Sequence, residues 1–488
     1  MNNFMTSITN GYTKIVEWIR SLFTMNKTEV NQAMQVQVNI SAPMATALQL
    51  WSLMYVNQAG WLMNDIKSLS LPAAIAGEIA RAVTIEMKVQ ITGSARADFL
   101  NKQFTKLVLG KLRDQVEYGC AKGGLMLKPW WNGTSLGVDF VQADCFFPVT
   151  FDGSGNMTAC VFSDTRAIGT NFYTRLEYHT LAKSGYEIRN AAFKSQSPQA
   201  LGTACALSEV ADWAALQEQA TIVGITQPLF AYFKYPLANA IDTTSPLGVS
   251  CYSRAVDLIE QADRQWDGLL WEMESGKRAI DVDELAFALD ANGRPILPNR
   301  RLYRTYKGSG AQLGSGKGDL FQEFTPTLRE QNIINALEAV LQRIEFTTGL
   351  ASGTLSSQGR GATVALTATE IATSAQRTFA TIVDCQKSLQ AALDQLIYAM
   401  DVWTTLGNLA SKGTYEATYE FDDSIVNDAV AQFTQDTTAV GLSVMSTLEF
   451  RMRNYGESEE QAKKMLALVA TEQQSAADLM AQQNPVGA

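Results

Sequence analysis

One segment of the sequence has the spacing of a nucleophile motif. Gly133-Thr134-Ser135-Leu136-Gly137 fits the pattern G-x-S-x-G, in which a serine on a strand-to-helix turn attacks an acyl carbon. Here the segment follows an Asn-Gly turn and leads into Val138–Val141, a strand pattern, so the required helix is missing. His179 is the only histidine, and any catalytic triad would have to use it. The pattern favours a hairpin loop, and a hydrolase that uses Ser135 is kept as an alternative.

A second segment is similar to a phosphate-binding loop. Residues 308–318 are rich in glycine and contain Lys317. The motif G-x-x-x-x-G-K-[ST] needs glycine where Ala311 stands and Ser or Thr where Gly318 stands, and no strand-then-helix pair frames it. A nucleotidase at this loop is a further enzyme alternative. One histidine and singly spaced cysteines do not have the spacing of zinc ligands. We expect no catalytic residues, no metal and no cofactor.

The composition is that of an acidic chain with enough apolar residues for a large core. The sequence has 488 residues, of which 46% are hydrophobic and 18% charged, and its net charge is −10. No apolar run reaches the roughly 18 residues that span a bilayer, and we expect no signal peptide and no membrane partner. A sequence-specific DNA reader is usually basic, whereas a bore lined with carboxylates would let a duplex pass with little adhesion.

The first quarter of the chain has helical spacing, and strand-like spacing follows it. We predict an amphipathic segment within residues 1–30 and helices at 44–64, 71–91 and 96–118, the last ended by Gly119. Turn residues at 132–133, 152–156 and 183–185 then separate runs of alternating apolar residues. These runs predict hairpins, and therefore an antiparallel α+β region that extends to about Pro236.

A long helical pattern occupies residues 246–276. It begins near Ser245-Pro246, ends at Gly276 and contains six acidic and two basic residues. Its apolar stripe consists of Val256, Ile259, Ala262, Trp266, Leu269, Leu270 and Met273. We expect the stripe to pack sideways and the opposite face to turn carboxylates to a channel. The acids assigned to that channel are Asp257, Glu260, Asp263 and Asp267.

The insert that follows, residues 277–323, has the opposite charge balance. Eight basic residues stand against six acidic ones in a turn-rich segment. Such a run is either a solvated face or a contact for phosphates or a partner. The residues assigned to the second possibility are Arg294, Arg300, Arg301, Arg304, Lys307 and Lys317.

A second helix, a hinge and a very long helix complete the central part. The apolar spacing predicts a helix at 327–348, glycines interrupt the pattern at 350–361, and helical spacing then continues from Thr363 to Gly407. The hinge is polar and carries one charge. Its candidate ligand-facing residues are Ser356, Ser357, Gln358 and Arg360.

The C-terminal part combines a short strand with two capped helices. The strand is predicted at residues 415–421. Ser446 with Glu449, and Ser458 with Gln461, have capping-box spacing. The tail after about Gln474 is expected to be disordered.

Four segments in this order resemble the tailed-bacteriophage portal proteins. They are Leu71-Pro72-Ala73-Ala74-Ile75-Ala76-Gly77-Glu78-Ile79-Ala80, Pro246-Leu247-Gly248, Thr348-Gly349-Leu350 with Thr367-Ala368-Thr369-Glu370-Ile371, and Gly441-Leu442-Ser443 with Tyr455 to Ala462. The resemblance covers most of the chain and rests on the order and spacing of the segments together.

The resemblance implies an α+β fold of portal-type architecture. It has a wing of antiparallel sheet and helices, a two-helix stem, a small clip insert, a long kinked tunnel helix and a short helical crown. The implied segments are 1–245 (wing), 246–276 (first stem helix), 277–326 (clip), 327–349 (second stem helix), 350–363 (tunnel loop), 364–406 (tunnel helix), 407–440 (return to the wing) and 441–488 (crown and disordered tail).

Function and partners also follow from the resemblance. It implies a homo-oligomeric ring, usually a dodecamer, at one capsid vertex, which conducts double-stranded DNA without sequence preference during packaging and ejection. We predict that Ser356, Ser357, Gln358 and Arg360 face this duplex. The implied partners are the terminase large subunit and head-completion or adaptor proteins at the clip, and the major capsid and scaffolding proteins. The implied location is the virion, after assembly in the host cytoplasm. Another ring-forming virion protein, such as an adaptor or tail protein, is the remaining alternative.

Overall fold

The structure of the chain, a computed structural model, describes residues 27–63, 65–182, 184–197, 200–277, 279–283, 303–306, 321–324, 327–357, 368–421 and 429–483. The chain divides into two compact units, Met1–Glu420 and Phe421–Ala488. None of the helices in the described part is both long enough and apolar enough to cross a membrane.

Helices open the first unit, and their ends explain several differences from the sequence pattern. They are α1 (residues 27–34), α2 (Ala42–Tyr55), α3 (Leu71–Thr84), α4 (Ala95–Phe104) and α5 (Gly110–Lys122). A π-helical turn, Thr105–Leu109, joins α4 to α5. Gly119 lies inside α5, where an added Cβ would stand 2.9 Å from the Phe233 ring. The predicted stop at Gly119 is therefore wrong, and this glycine permits close packing instead.

Two predicted helices are shorter than the apolar spacing indicated. The predicted helix 44–64 ends at Tyr55, and the backbone at Asn57 then adopts φ 56°. The predicted helix 71–91 ends at Thr84, and Met87–Thr92 forms strand β1. Residues 89–92 alternate between buried and exposed along β1, which is the period of a strand and not of a helix.

Antiparallel hairpins fill the middle of the first unit. The strands are β2 (Gly124–Trp131), β3 (Leu136–Gln142), β4 (Phe146–Phe151), β5 (Met157–Ile168), β6 (Asn171–Ala182), β7 (Gly185–Ser195), β8 (Thr203–Cys205), β9 (Gln219–Ile222) and β10 (Ala231–Lys234). One sheet has the order β10-β2-β3, and a second has the order β4-β5-β6-β7-β8 with β9 beside β7. The three predicted hairpins are confirmed, and with them the α+β class.

A network of charged side chains lies between these two sheets. Lys128 of β2 is 4% exposed and pairs with Glu177 of β6. Glu177 also pairs with Arg175 at 3.1 Å and accepts from His179 at 2.8 Å. The other ring nitrogen of His179 bonds the Tyr186 hydroxyl at 2.8 Å. The only histidine of the chain is therefore engaged at both nitrogens within this network.

Burial gives His179 a pH-dependent share in stability. Desolvation lowers the pKa of His179 below its ordinary 6.5, and the nearby Glu177 carboxylate offsets only part of that effect. Between this lowered pKa and pH 6.5, the unfolded chain carries a proton on His179 and the folded chain does not. The free energy of unfolding therefore falls as the pH drops from 6.5 towards the lowered pKa.

We expect the urea midpoint of the wild type to decrease when the pH is lowered from about 7.5 to about 5.5, and this decrease to be smaller in the His179→Gln variant. Glu177 affects stability only at lower pH. Its burial alone would raise its pKa, but Lys128 and His179 hold that pKa well below its usual range. An equal fall of the urea midpoint with pH in the variant and the wild type would contradict the role given to His179.

Two packed helices and a small sheet follow. Helix α6 (Val256–Ser275) packs against α7 (Glu330–Thr348). The described strands between them, β11 (Ala279–Asp283), β12 (Tyr303–Tyr306) and β13 (Phe321–Phe324), form a sheet of order β12-β11-β13. Helix α6 begins ten residues later than the predicted Pro246, because residues 251–254 form turns and Ser253 N–H bonds the Ser250 carbonyl.

The longest helix closes the first unit. Helix α8 (Ala368–Leu406) has 39 residues and confirms the predicted long helix, although the predicted kink stays a prediction. Leu389, Leu393 and Leu396 of α8 are fully buried in the main core. Strand β14 (Glu416–Phe421) then pairs with β1.

In its described residues, 429–483, the second unit contains three helices: α9 (Ala429–Gly441), α10 (Thr447–Tyr455) and α11 (Glu459–Gln483). Both predicted caps are confirmed. Ser446 Oγ accepts from Glu449 N–H at 3.0 Å, and Ser458 and Gln461 bond each other reciprocally. The prediction of disorder after Gln474 is wrong up to Gln483, since no Gly or Pro interrupts the Ala-rich sequence before Pro485.

Candidate functional site

The helix pair α6–α7 is held at one end by a buried carboxylate. Glu272 of α6 accepts from the Arg329 backbone N–H at 3.0 Å and from its guanidinium at 3.0 and 3.2 Å. This Arg329 contact holds the pKa of Glu272 below its usual value. The bonds join the end of α6 to the start of α7 across the insert.

The four acids assigned to a channel do not share one environment. Asp263 is 1% exposed and accepts from Trp61 Nε1 at 2.9 Å and from Leu69 N–H at 2.8 Å. The prediction that Asp263 faces an open channel is therefore wrong, because the 61–69 segment of its own chain covers it. Asp257 is exposed, and Glu260 pairs with Arg264 at 2.7 Å.

Asp267, the fourth of these acids, is half-buried. Its carboxylate accepts from Lys67 N–H at 3.2 Å. Helical spacing correctly placed Ile259 and Ala262 on a buried face of α6. It carried no information about the distant segment that packs over the edge of the acidic face.

The same end of α6 that carries Glu272 also exposes apolar side chains. Leu270 is 38% exposed, Trp271 65% and Met273 51%. Leu270 and Met273 belong to the predicted stripe, but Trp271 does not, and sequence periodicity missed it. Three apolar side chains this exposed within one helical turn are typical of a surface that a partner covers.

The loop after α7 is organised by a buried carboxylate that the sequence analysis did not single out. Glu345 is 1% exposed. It accepts from the backbone N–H groups of Gly353 at 3.2 Å, Leu355 at 2.6 Å and Ser356 at 2.8 Å, and from Ser356 Oγ at 3.1 Å. Four donors around one carboxylate fold the start of the loop back onto α7.

The structure gives different results for the four polar loop residues that were predicted to face DNA. Ser356 is 4% exposed and bonded to Glu345, so the prediction that it faces DNA is wrong for this structure. Ser357 is exposed, and its N–H and hydroxyl both donate to Glu338 of α7. Gln358 and Arg360 lie outside the described residues.

The basic residues of the insert are largely outside the described part. Arg304 is in β12, which runs parallel to β11 with Arg304 opposite Asp281. Arg294, Arg300, Arg301, Lys307 and Lys317 lie outside the described residues, as does the glycine-rich segment 308–318. Their assignment to phosphate or partner contact stays a prediction.

The residues of the nucleophile-like motif lie apart from the only histidine. Ser135 is in the β2–β3 turn, where its N–H and hydroxyl donate to Asn132 Oδ1 at 2.8 and 3.3 Å. His179 is buried and bonded to Glu177 and Tyr186. The structure therefore does not bring a serine–histidine pair together at Ser135.

The chain is similar to a known family over most of its length. Residues 110–476 match the family model described as "Phage portal protein, SPP1 Gp6-like". This match spans the helix pair, the insert, the loop and α8, and the chain therefore belongs to the phage portal protein family. The resemblance drawn from the sequence is confirmed, and with it a place among the components of phage particles.

Comparison with individual proteins adds less. No curated protein matches the sequence. One solved chain, from the "Neck of native GTA particle computed with C12 symmetry", has 13% identity and a TM-score of 0.41, with 80% of this chain and 91% of that chain covered.

Proposed function

We propose that this protein is a portal subunit that assembles into a ring and serves as a passive conduit for double-stranded DNA. The observation that carries the proposal is the family match over residues 110–476, which includes α6, α7, the loop and α8. The exposed apolar end of α6 supports it, since a surface of this kind is stabilised when a second copy covers it.

The finer parts of the function are proposals as well. The ring is a dodecamer at one capsid vertex, it is assembled in the host cytoplasm, and it meets the major capsid and scaffolding proteins there. The insert 277–326 docks the terminase large subunit and later the head-completion or adaptor proteins, with Arg300, Arg301 and Arg304 among its contacts. Loop residues, including Arg360, contact the passing duplex. The subunit itself is not an enzyme.

Replacing Trp271 tests the ring. We expect Trp271→Asp to weaken each subunit contact by about 2 kcal/mol, or roughly 30-fold in affinity, because a large apolar side chain no longer leaves water on assembly. Mass photometry across a concentration series measures the loss of rings. Val223→Asp, at a side chain that is 77% exposed outside the helix pair, is the matched control and should assemble normally.

The two variants separate assembly from folding. Trp271→Asp monomers should keep the wild-type circular dichroism, since the 65% exposed ring contributes little to the core of one chain. Rings of Trp271→Asp as stable as the wild type would show that this end of α6 is not an interface.

A further inference from the structure

Two arginines and a phenylalanine form an exposed cluster where α7 ends and α8 passes by. The Arg377 guanidinium of α8 stacks 3.9 Å from the centre of the Phe346 ring, and that of Arg343 lies 5.7 Å from it. Phe346 is 55% exposed, and both arginines are exposed. Phe346 is three residues before Gly349, whose carbonyl accepts from Thr381 Oγ of α8 at 3.5 Å. The cluster therefore lies at the root of the loop.

Neither guanidinium has a carboxylate partner among the described residues. Arg343 and Arg377 have no acidic residue three or four positions away on their helices, in contrast to Arg264, which pairs with Glu260. The nearest acids on α7 are already used, because Glu345 and Glu338 accept from the loop. Two cations that share one ring repel each other, and an anion between them would remove that cost.

We propose that Arg343 and Arg377, held by Phe346, form a phosphate-binding point for the DNA backbone. The Arg377 guanidinium is held against the ring, and the guanidinium of Arg343 lies nearby. The N–H donors of both have no carboxylate partner among the described residues, which suits bidentate contact with a phosphate. This inference rests on the proposed function, in which the loop that begins beside this cluster contacts the passing duplex. It assigns DNA contact to helical residues that neither the loop sequence nor the charge pattern indicated.

A second copy of the chain is the less favoured occupant. Its carboxylates on α6 would be candidate partners, but five of the six are engaged within their own chain. Glu260 pairs with Arg264, Asp263 accepts from Trp61, and Asp267 accepts from Lys67. Glu272 pairs with Arg329, and Glu274 pairs with Lys277. A phosphodiester backbone supplies unpaired anions at regular spacing and meets the charge of the cluster without this competition.

The test uses preassembled rings of the full chain and two fluorescent DNAs. A linear duplex of about 40 base pairs can enter a bore, whereas a covalently closed circle cannot enter a ring that is already closed. Anisotropy is measured over a series of salt concentrations for the wild type and for Arg343→Gln/Arg377→Gln. The control, Arg264→Gln/Lys463→Gln, removes the same charge from two cations that are paired with Glu260 and Glu459.

We expect the cluster variant to bind the linear duplex at least about tenfold more weakly than the wild type at low salt. The slope of log affinity against log salt should become shallower by about 0.9 for each phosphate that the variant no longer neutralises. The control should keep the wild-type slope, and Phe346→Leu should weaken binding less than the double arginine variant.

Three outcomes decide the matter. Unchanged affinity and slope in the cluster variant, with wild-type rings that do hold linear DNA, would overturn this inference alone. Loss of rings in the cluster variant would assign the arginines to a contact between copies and also overturn it. Wild-type protein that forms no rings, or rings that hold no linear duplex, would overturn the proposed function together with the inference.

Discussion

Glu177→Ala should destabilise the first unit by about 3–5 kcal/mol, the largest effect we expect from any single substitution. The carboxylate of Glu177 faces Lys128, Arg175 and His179 at once. Lys128 is 4% and Arg175 12% exposed, so removing Glu177 leaves two cations with little access to water. The nearby Asp139, 3.5 Å from Lys128, compensates only in part.

Urea unfolding followed by tryptophan fluorescence measures this destabilisation, because Trp130 and Trp213 lie in or beside the same sheets. Glu187→Ala is the matched control on the neighbouring strand. The Glu187 carboxylate accepts only from Ser184 Oγ at 3.2 Å among the described contacts, so about 0.5 kcal/mol is expected. Equal destabilisation in the two variants would show that the network contributes no more than a surface contact.

Glu345→Ala should release the start of the loop from α7, at a cost of about 3 kcal/mol. The substitution removes the acceptor of three backbone N–H groups and one hydroxyl and leaves them without a partner in a site that is 1% exposed. Hydrogen exchange of Leu355 and Ser356 should then become about 100-fold faster, because each 1.4 kcal/mol of lost protection is a factor of ten.

Glu338→Ala is the control for this prediction. Glu338 holds only the exposed Ser357, so the same measurement should change by less than about tenfold. If exchange at Leu355 stayed slow in Glu345→Ala, the loop would be held by the packing of Leu350 and Leu355 and not by the carboxylate.

Features set by neighbouring residues were predictable from the sequence. The turn at Asp152–Asn156 closes because Asp152 accepts from Ser154 and Asn156, and residues this close in the chain are visible as a motif. The cap at Ser446 and the continuous apolar spacing of α8 are local in the same sense. The order of the four segments along the chain was enough to indicate the family, because reading that order does not require knowledge of individual contacts.

Features set by distant residues were not predictable. Asp263 is buried by Trp61 and Leu69, about 200 residues away in the chain, so its position on the acidic face of α6 did not show its environment. The spacing within β1 is too short to distinguish it from the end of a helix, and its partner, β14, lies more than 300 residues further on. The Arg343–Phe346–Arg377 cluster likewise joins two helices across the loop.

Electron microscopy of the purified full-length protein, with class-averaged views along the symmetry axis, tests the central claim most directly. Closed rings of identical subunits around an opening wide enough for a DNA duplex are the predicted result. Single compact particles without an axial opening, at concentrations well above those used for the ring assays, would contradict the assignment of this chain to a DNA-conducting ring.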